Sequence, residues 1–318
     1  MYSARQSGSM TSTPAATTSL PTPADVDAAL DRIAPYVRRT PVLSTRVGGR
    51  ALTLKLEHLQ TTGAFKLRGA LNAMLAAGAP QRVVTASGGN HGLGVAAAAR
   101  MLGAEALVYV PETVPEVKAR RLEESGAELV RTGSHYAEAA EAARARAEAE
   151  GLRYLHAYDD PDVVAGQGTI GAEIAADAPE SDCVAVAVGG GGLVAGVRLG
   201  AGRRRVVGVE PEGCQSLHAA LAAGEPVAAP VDSVASSALG AARVGDVPFG
   251  VLRRRPVETA LVTDPEITAA RDRLWDEFRI AAEPAAAVPF AAWLAGRVPG
   301  DNPCLVVCGA NAAWTPQE

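Results

Sequence analysis

Lys66 follows Phe65 and stands two places before Arg68 in "TTGAFKLRGA", residues 61–70. A lysine amine can do two kinds of chemistry. It condenses with aldehydes, and it takes up protons once burial has lowered its pKa. Taken alone, the decapeptide reads as a solvated helix-surface lysine. Two glycine-rich turns change that reading. In "VAVAVGGGGLVAGV" a buried strand enters Gly189, Gly190, Gly191 and Gly192 and leaves as a helix. Converging backbone N–H groups and a helix N-terminus together cradle a phosphate. No Gly-Lys-Ser/Thr follows, so this is not a Walker A loop, and no acidic ribose contact stands clearly at the dinucleotide-fold distance. A tight strand-to-helix turn is the plainer reading, but such a turn does not need four glycines. "TASGGNHGLG" (85–94) has the same topology. There Ser87, Gly88, Gly89 and Asn90 precede a helix and suit an anion such as a carboxylate. His91 alone reads as a loop-shaping residue.

The surrounding elements must bring these turns together. Short apolar runs alternate with helical patterns, which predicts an α/β fold with a mostly parallel sheet. The first series is strand 82–87, helix 93–103 ending at Gly103, strand 105–110, helix 114–126, strand 127–132 and helix 134–151. Ser134 is the expected N-cap of that last helix and Gly151 its C-cap. The second series is strand 182–188, helix 193–202, strand 204–211, helix 214–224, strand 256–264, helix 265–278, a helix over 284–296 bent at Pro289, and strand 303–309. No fixed-period repeat is present, which argues against a solenoid.

Composition removes several function classes. A chain of 318 residues can bury a large core. The net charge of −5, with signs interspersed and no basic stripe, argues against a nucleic-acid partner. No apolar run is long enough to span a membrane. Cys183, Cys214, Cys304 and Cys308 form no C-x-x-C pair and no disulfide framework. Residues 1–22, rich in Ser, Thr, Ala and Pro, lack the apolar stretch of a secretory signal and read as a disordered tail. The expected location is the cytoplasm.

Taken together, "KLEHLQTTGAFKLRGALNAM" (55–74), "ASGGNHG" (86–92), "PDVVAGQGTIGAEI" (161–174), "GGGGLVAG" (189–196), "GVEP" (208–211), "DSVA" (232–235), "AAEPAAA" (281–287) and "VVCGAN" (306–311) fall in one family's order. They resemble the threonine/serine dehydratases among the fold-type II pyridoxal phosphate enzymes. The likeness covers about residues 23–313. It implies that Lys66 forms a Schiff base with the cofactor aldehyde and later acts as the base. Gly189, Gly190, Gly191, Gly192 and Leu193 would hold the cofactor phosphate. Phe65 would lie beside the ring, Asn90 would bond the ring's 3-oxygen, and Glu283 would sit near the ring. Ser87, Gly88, Asn90 and His91 would meet the substrate. Each has a bland alternative: core aromatic for Phe65, cap for Asn90, helix-end acid for Glu283.

Two positions stand out within that resemblance. Cys308 falls where the pyridine nitrogen is met; a thiol is a weak donor and favours prompt loss of a β-leaving group. A buried structural cysteine is its plainer alternative. Gly88 falls where racemases of the family carry a serine, and glycine supplies no acid or base. Glu210 matches a metal-binding position of some members but lacks a clear carboxylate partner, so no metal is expected.

The implied architecture is two open, mostly parallel α/β domains, tryptophan-synthase-β-like, with the cofactor in the cleft between them. Residues 23–68 and 153–318 form the large domain and 69–152 a small mobile one. The implied activity is that of a lyase: L-threonine to 2-oxobutanoate and ammonia, L-serine to pyruvate and ammonia. A same-fold racemase, a β-replacement enzyme, a dehydratase of hydroxyaspartate or phenylserine, and a non-catalytic cofactor-binding protein are the alternatives. A dinucleotide-binding oxidoreductase would leave Lys66 unexplained. The expected partners are an amino-acid substrate and a second copy in a homodimer. No regulatory domain follows the last motif, so feedback through one is not expected.

Overall fold

The computed structural model describes residues 19–311. The chain opens with α1 (Pro23–Ile33), then the antiparallel hairpin β1 (Val42–Val47) and β2 (Arg50–Lys55), then α2 (Lys66–Ala76). Alternating units follow: β3 (Arg82–Ala86), α3 (Asn90–Leu102), β4 (Glu105–Val110), α4 (Glu116–Glu124), β5 (Ala127–Arg131), α5 (Tyr136–Glu150) and β6 (Arg153–Tyr154). The long helix α6 (Pro161–Asp177) leads to β7 (Cys183–Ala187), α7 (Gly192–Gly200), β8 (Arg205–Pro211) and α8 (Ser216–Ala223). The chain continues through α9 (Ser236–Leu239), α10 (Asp246–Arg254), β9 (Glu258–Val262), α11 (Asp264–Phe278), α12 (Pro284–Leu294) and β10 (Cys304–Val306).

These elements make a six-stranded sheet ordered β1-β2-β10-β7-β8-β9 and a four-stranded sheet ordered β5-β4-β3-β6. Among the described residues, every strand pairing other than the β1–β2 hairpin is parallel. A parallel sheet buries both faces under helices. In the small sheet, Val83, Ala106, Val108 and Val110 pack with α2 and α3, whereas Val84, Ala86, Leu107 and Tyr109 pack against the alanine face of α5. That switch of side at each residue is the strand period of two. The larger core surrounds β7, whose five residues are all buried.

Several sequence expectations change here. The N-cap of α5 is His135; Ser134 instead bonds the Glu138 carboxylate through its N–H (2.6 Å) and hydroxyl (3.1 Å). Gly103 and Gly151 do close their helices in the left-handed region, at φ 70° and 63°. Helix α12 has Pro289 within it. The four-stranded sheet takes in Arg153–Tyr154, just past residue 152. Of the expected tail, residues 1–18 lie outside the described residues. Thr22 belongs to the folded body as the N-cap of α1.

The site follows from the topology. In parallel α/β sheets the loops at the carboxyl ends of strands are the ones free to bind. The glycine loop leaves the end of β7, residues 87–89 leave β3, and residues 307–311 leave β10.

Candidate active site

Lys66 is the first residue of α2, and three contacts fix its backbone. The Phe65 N–H donates to the Cys308 carbonyl at 3.1 Å, and Ala64 bridges Gly309. Helix α3 presses against the same point at Gly94, where an added Cβ would stand 3.0 Å from the Lys66 carbonyl carbon. Lys66 Nζ donates to the Ala157 carbonyl at 2.7 Å. A neutral carbonyl does not neutralise an ammonium. Lys66 keeps some exposed surface, yet its amine end is desolvated, and that pulls its pKa down to about 8. The Phe65 ring centroid is 5.2 Å from Nζ.

Two residues on from Lys66 in the same helix, Arg68 joins an ion network that gives no sign in the sequence. Arg68 donates to Glu57 (2.9 Å) and to Glu173 (2.7 Å), and Lys55 donates to Glu173 (2.6 Å); all four are buried. Burial alone would pull the Arg68 pKa down, but Glu57 and Glu173 outweigh it and hold the guanidinium charged. Two cations meet two anions, so the cluster is balanced, and it ties α2 to α6 and β2. Residues so far apart in the chain give no sequence sign that they converge.

The glycine loop is shaped by what surrounds it. An added Cβ at Gly190 would lie 2.3 Å from the Tyr158 ring, and one at Gly191 2.8 Å from Val244. Gly191 also takes φ 90° as the N-cap of α7, a region that L side chains rarely adopt. The loop carbonyls are engaged: Gly189 accepts from Ser216 Oγ at 2.7 Å, Gly190 from the Gly245 N–H at 3.1 Å and Gly191 from the Ala195 N–H at 3.0 Å. The first-turn N–H groups of α7 have no partner within their helix. Leu193 is buried in the core beside them.

On the β3 side, Ser87 Oγ accepts from the Gly89 N–H at 3.2 Å. Asn90 Nδ2 donates to Glu283 Oε1 at 2.8 Å, and Asn311 Nδ2 donates to Asn90 Oδ1 at 2.9 Å. Burial raises the Glu283 pKa to about 7, although the Asn90 bond works against the shift. Gly88, Asn90 and Glu283 line a cavity of about 230 Å³ with Asn311, Lys118 and Arg121. His91 faces inward, with Nε2 3.1 Å from the Leu155 carbonyl, and desolvation takes its pKa to about 3. Cys308 is a buried thiol whose pKa burial pushes well above the usual range. Glu210 caps α8, its carboxylate accepting the Leu217 and His218 N–H groups, each at 2.8 Å.

Lys66, Phe65 and Cys308 are therefore joined by direct contacts. Tyr158, next to Ala157, links them to the glycine loop, and Asn90 and Glu283 join through Asn311. Ala157, Tyr158 and Asn311 were not singled out from sequence. Asn311 lies within the quoted "VVCGAN"; "HAYDD" carried no glycine or lysine signal.

A profile of the family described as "Pyridoxal-phosphate dependent enzyme" matches residues 33–309. The chain belongs to that family. As in the family, its cofactor is pyridoxal 5'-phosphate. An L-threonine ammonia-lyase of Geobacter sulfurreducens is 37% identical over 88% of this chain and 73% of its own. One from Thermotoga maritima is 36% identical over 85% of this chain and 69% of its own. Among solved structures, a threonine deaminase of T.th. superposes with TM-score 0.87 at 38% identity, covering 93% of this chain and 100% of that one. A maize serine racemase gives TM-score 0.86 at 29% identity, covering 92% of this chain and 94% of that one. The residues of this pyridoxal-phosphate family member fit the cofactor. An amine held near pKa 8 stands ready for an aldehyde, and a loop closed to side chains leaves N–H groups at a helix start for a phosphate.

Proposed function

We propose that the chain is a lyase that dehydrates and deaminates β-hydroxy amino acids, L-threonine to 2-oxobutanoate and L-serine to pyruvate. The observation that carries the reading is Lys66: a desolvated amine with its pKa near 8, facing a neutral carbonyl rather than a carboxylate. Relatives bearing the names threonine ammonia-lyase and threonine deaminase support it. Bound pyridoxal phosphate supplies the electron sink for charge at Cα.

The chain's own residues do the rest. Lys66 Nζ would hold the cofactor's aldehyde carbon and, once freed, would remove the Cα proton; the desolvation that lowers its pKa to about 8 without cofactor favours the free base this role needs. The N–H groups of Gly189, Gly190, Gly191, Gly192 and Leu193 would hold the phosphate. Ser87, Gly88 and Asn90, at the N-terminus of α3, take the substrate carboxylate. Asn90, bonded to Glu283 through Nδ2, would also bond the cofactor's 3-oxygen. Phe65 would lie beside the ring. The Cys308 thiol, kept protonated by burial, would offer the ring nitrogen a weak donor. His91 keeps this loop in place through Leu155.

Serine racemases are structural neighbours. Gly88 carries no side chain to deliver a proton to the face opposite Lys66, so elimination is favoured over racemisation. We further propose that the small unit expected at 69–152, to which β6 (Arg153–Tyr154) adds a strand, closes on substrate over the rest of the described residues, that the enzyme is a cytoplasmic homodimer, and that nucleic acid and membrane are not partners. Among the described residues no helix is long and apolar enough to cross a membrane. The reading is tested by ammonia and 2-oxo acid release from L-threonine and L-serine. Release of neither by cofactor-loaded protein refutes it.

A further inference from the structure

Between β6 and α6 the chain runs "LHAYDD", residues 155–160, and this segment meets the site at several points. The Ala157 carbonyl accepts from Lys66 Nζ at 2.7 Å. Tyr158 lies against the glycine loop: an added Cβ would stand 2.3 Å from its ring at Gly190 and 3.0 Å from its Cα at Gly192. Asp159 Oδ1 accepts the Val247 N–H of α10 at 2.8 Å, and Gly245, just before that helix, donates its N–H to the Gly190 carbonyl at 3.1 Å. One side chain folds the segment back on itself. His156 Nδ1 lies 2.8 Å from the Asp159 nitrogen and 3.3 Å from the Tyr158 nitrogen. Backbone N–H groups only donate, so Nδ1 is the acceptor and the ring proton sits on Nε2. The His156 ring also meets the Tyr158 ring edge-on, with centroids 4.6 Å apart.

We infer that His156 is a positioning residue: by accepting at Nδ1 it holds the turn that sets the Ala157 carbonyl on Lys66 and Tyr158 on the glycine loop. This rests on the cofactor's being held at Lys66 and the glycine loop, and not on which amino acid reacts. A side chain that accepts N–H groups two and three residues ahead of it fixes a turn, as Asn and Asp do. An imidazole protonated on both nitrogens cannot accept, so the turn depends on a neutral ring. Burial lowers the His156 pKa from 6.5. Of the charged groups around it, Asp159 opposes the shift, whereas Lys66 of α2 and Arg144 of α5 add to it. His91 of α3, at about 3, and Tyr154 and Tyr158, at about 12, stay neutral beside it. The turn is therefore complete at neutral pH and above. Well below pH 6.5 the ring charges, and the hold on the cofactor weakens.

The test follows release of pyridoxal phosphate from loaded enzyme after dilution, by the change in cofactor absorbance. Wild type is compared with His156→Asn, His156→Gln and His156→Leu at pH 7.5 and pH 5.5. The Asn side-chain oxygen reaches the place of Nδ1, the longer Gln side chain overshoots it, and Leu accepts nothing. His156→Asn is expected to release cofactor within about threefold of the wild-type rate, and His156→Gln and His156→Leu at least about tenfold faster. Release from wild type is expected to quicken between pH 7.5 and pH 5.5 by more than release from His156→Asn, whose amide does not titrate. A Leu variant as slow as wild type, an Asn variant as fast as Leu, or equal pH dependence in wild type and Asn overturns the inference. Should His156→Leu not fold, the contrast between Asn and Gln decides it: equal release from those two overturns it. No arm depends on turnover, so failure to deaminate threonine or serine would sink the lyase reading and leave this one to its own result.

Discussion

Lys66 Nζ donates to the Ala157 carbonyl oxygen at 2.7 Å. The pairing matters because of what the acceptor is not. A carboxylate there would stabilise the ammonium and raise its pKa. A carbonyl satisfies one proton and leaves desolvation to dominate, so the amine sits near pKa 8.

That depressed pKa has a measurable sign. Below about pH 8 Lys66 is charged in both folded and unfolded cofactor-free protein, and the folded state bears the full desolvation cost. Between about 8 and the ordinary lysine value of 10.5 the folded state releases the proton first, so stability rises with pH. Lys66→Met is therefore expected to melt higher than wild type at pH 7, with the gap narrowing toward pH 10. Melting curves of cofactor-free protein across that range check it; a gap that widens with pH contradicts it.

Glu283 runs the other way. Its folded pKa is raised from 4.5 to about 7, so its favourable contribution is complete below pH 4.5 and is lost as pH climbs through 7. Glu283→Gln should remove that slope. Paired denaturant titrations at pH 5 and pH 8 are expected to show a smaller stability change in the variant.

Gly190 and Tyr158 form a testable pair. An alanine at 190 would put its Cβ 2.3 Å from the Tyr158 ring. The expected cost is about 1–3 kcal/mol of stability and at least roughly a tenfold weaker hold on cofactor. In a Tyr158→Ala background the stability cost should shrink, because the obstacle is gone. Thermal melts and cofactor titration of both single variants and the double variant read this coupling.

Arg68 serves structure rather than proton transfer. Its removal leaves Glu57 and Glu173 buried without their main partner, with Lys55 still on Glu173. Arg68→Ala is expected to cost about 3–5 kcal/mol, read as a lower urea midpoint. A cost under about 1 kcal/mol would mean that the cluster is solvated.

Much of this was legible in the sequence, for identifiable reasons. The run Cys183–Ala187 is apolar and ends in glycines, so both the strand and the loop could be read. Gly103 and Gly151 announced two helix ends. The hairpin of β1 and β2 was missed because its residues mix exposed and buried positions without clean alternation. Helix α6 carries no polar stripe, since most of it is buried, and it was read only as a motif. The Ser134 cap was misplaced by one residue because His135 has no capping side chain to mark it. The Lys55–Glu57–Arg68–Glu173 cluster and the Ala157 contact depend on tertiary approach. A backbone carbonyl leaves no mark in a sequence.

The central claim is that Lys66 drives elimination from β-hydroxy amino acids. The most direct measurement is 2-oxo acid release by cofactor-loaded protein, with L-threonine and L-serine in parallel and Lys66→Ala as control. The account predicts 2-oxobutanoate and pyruvate from the wild type, and a fall of at least about 1,000-fold in the variant. Cofactor-loaded wild type that releases neither product, or a variant that keeps its rate, would contradict it.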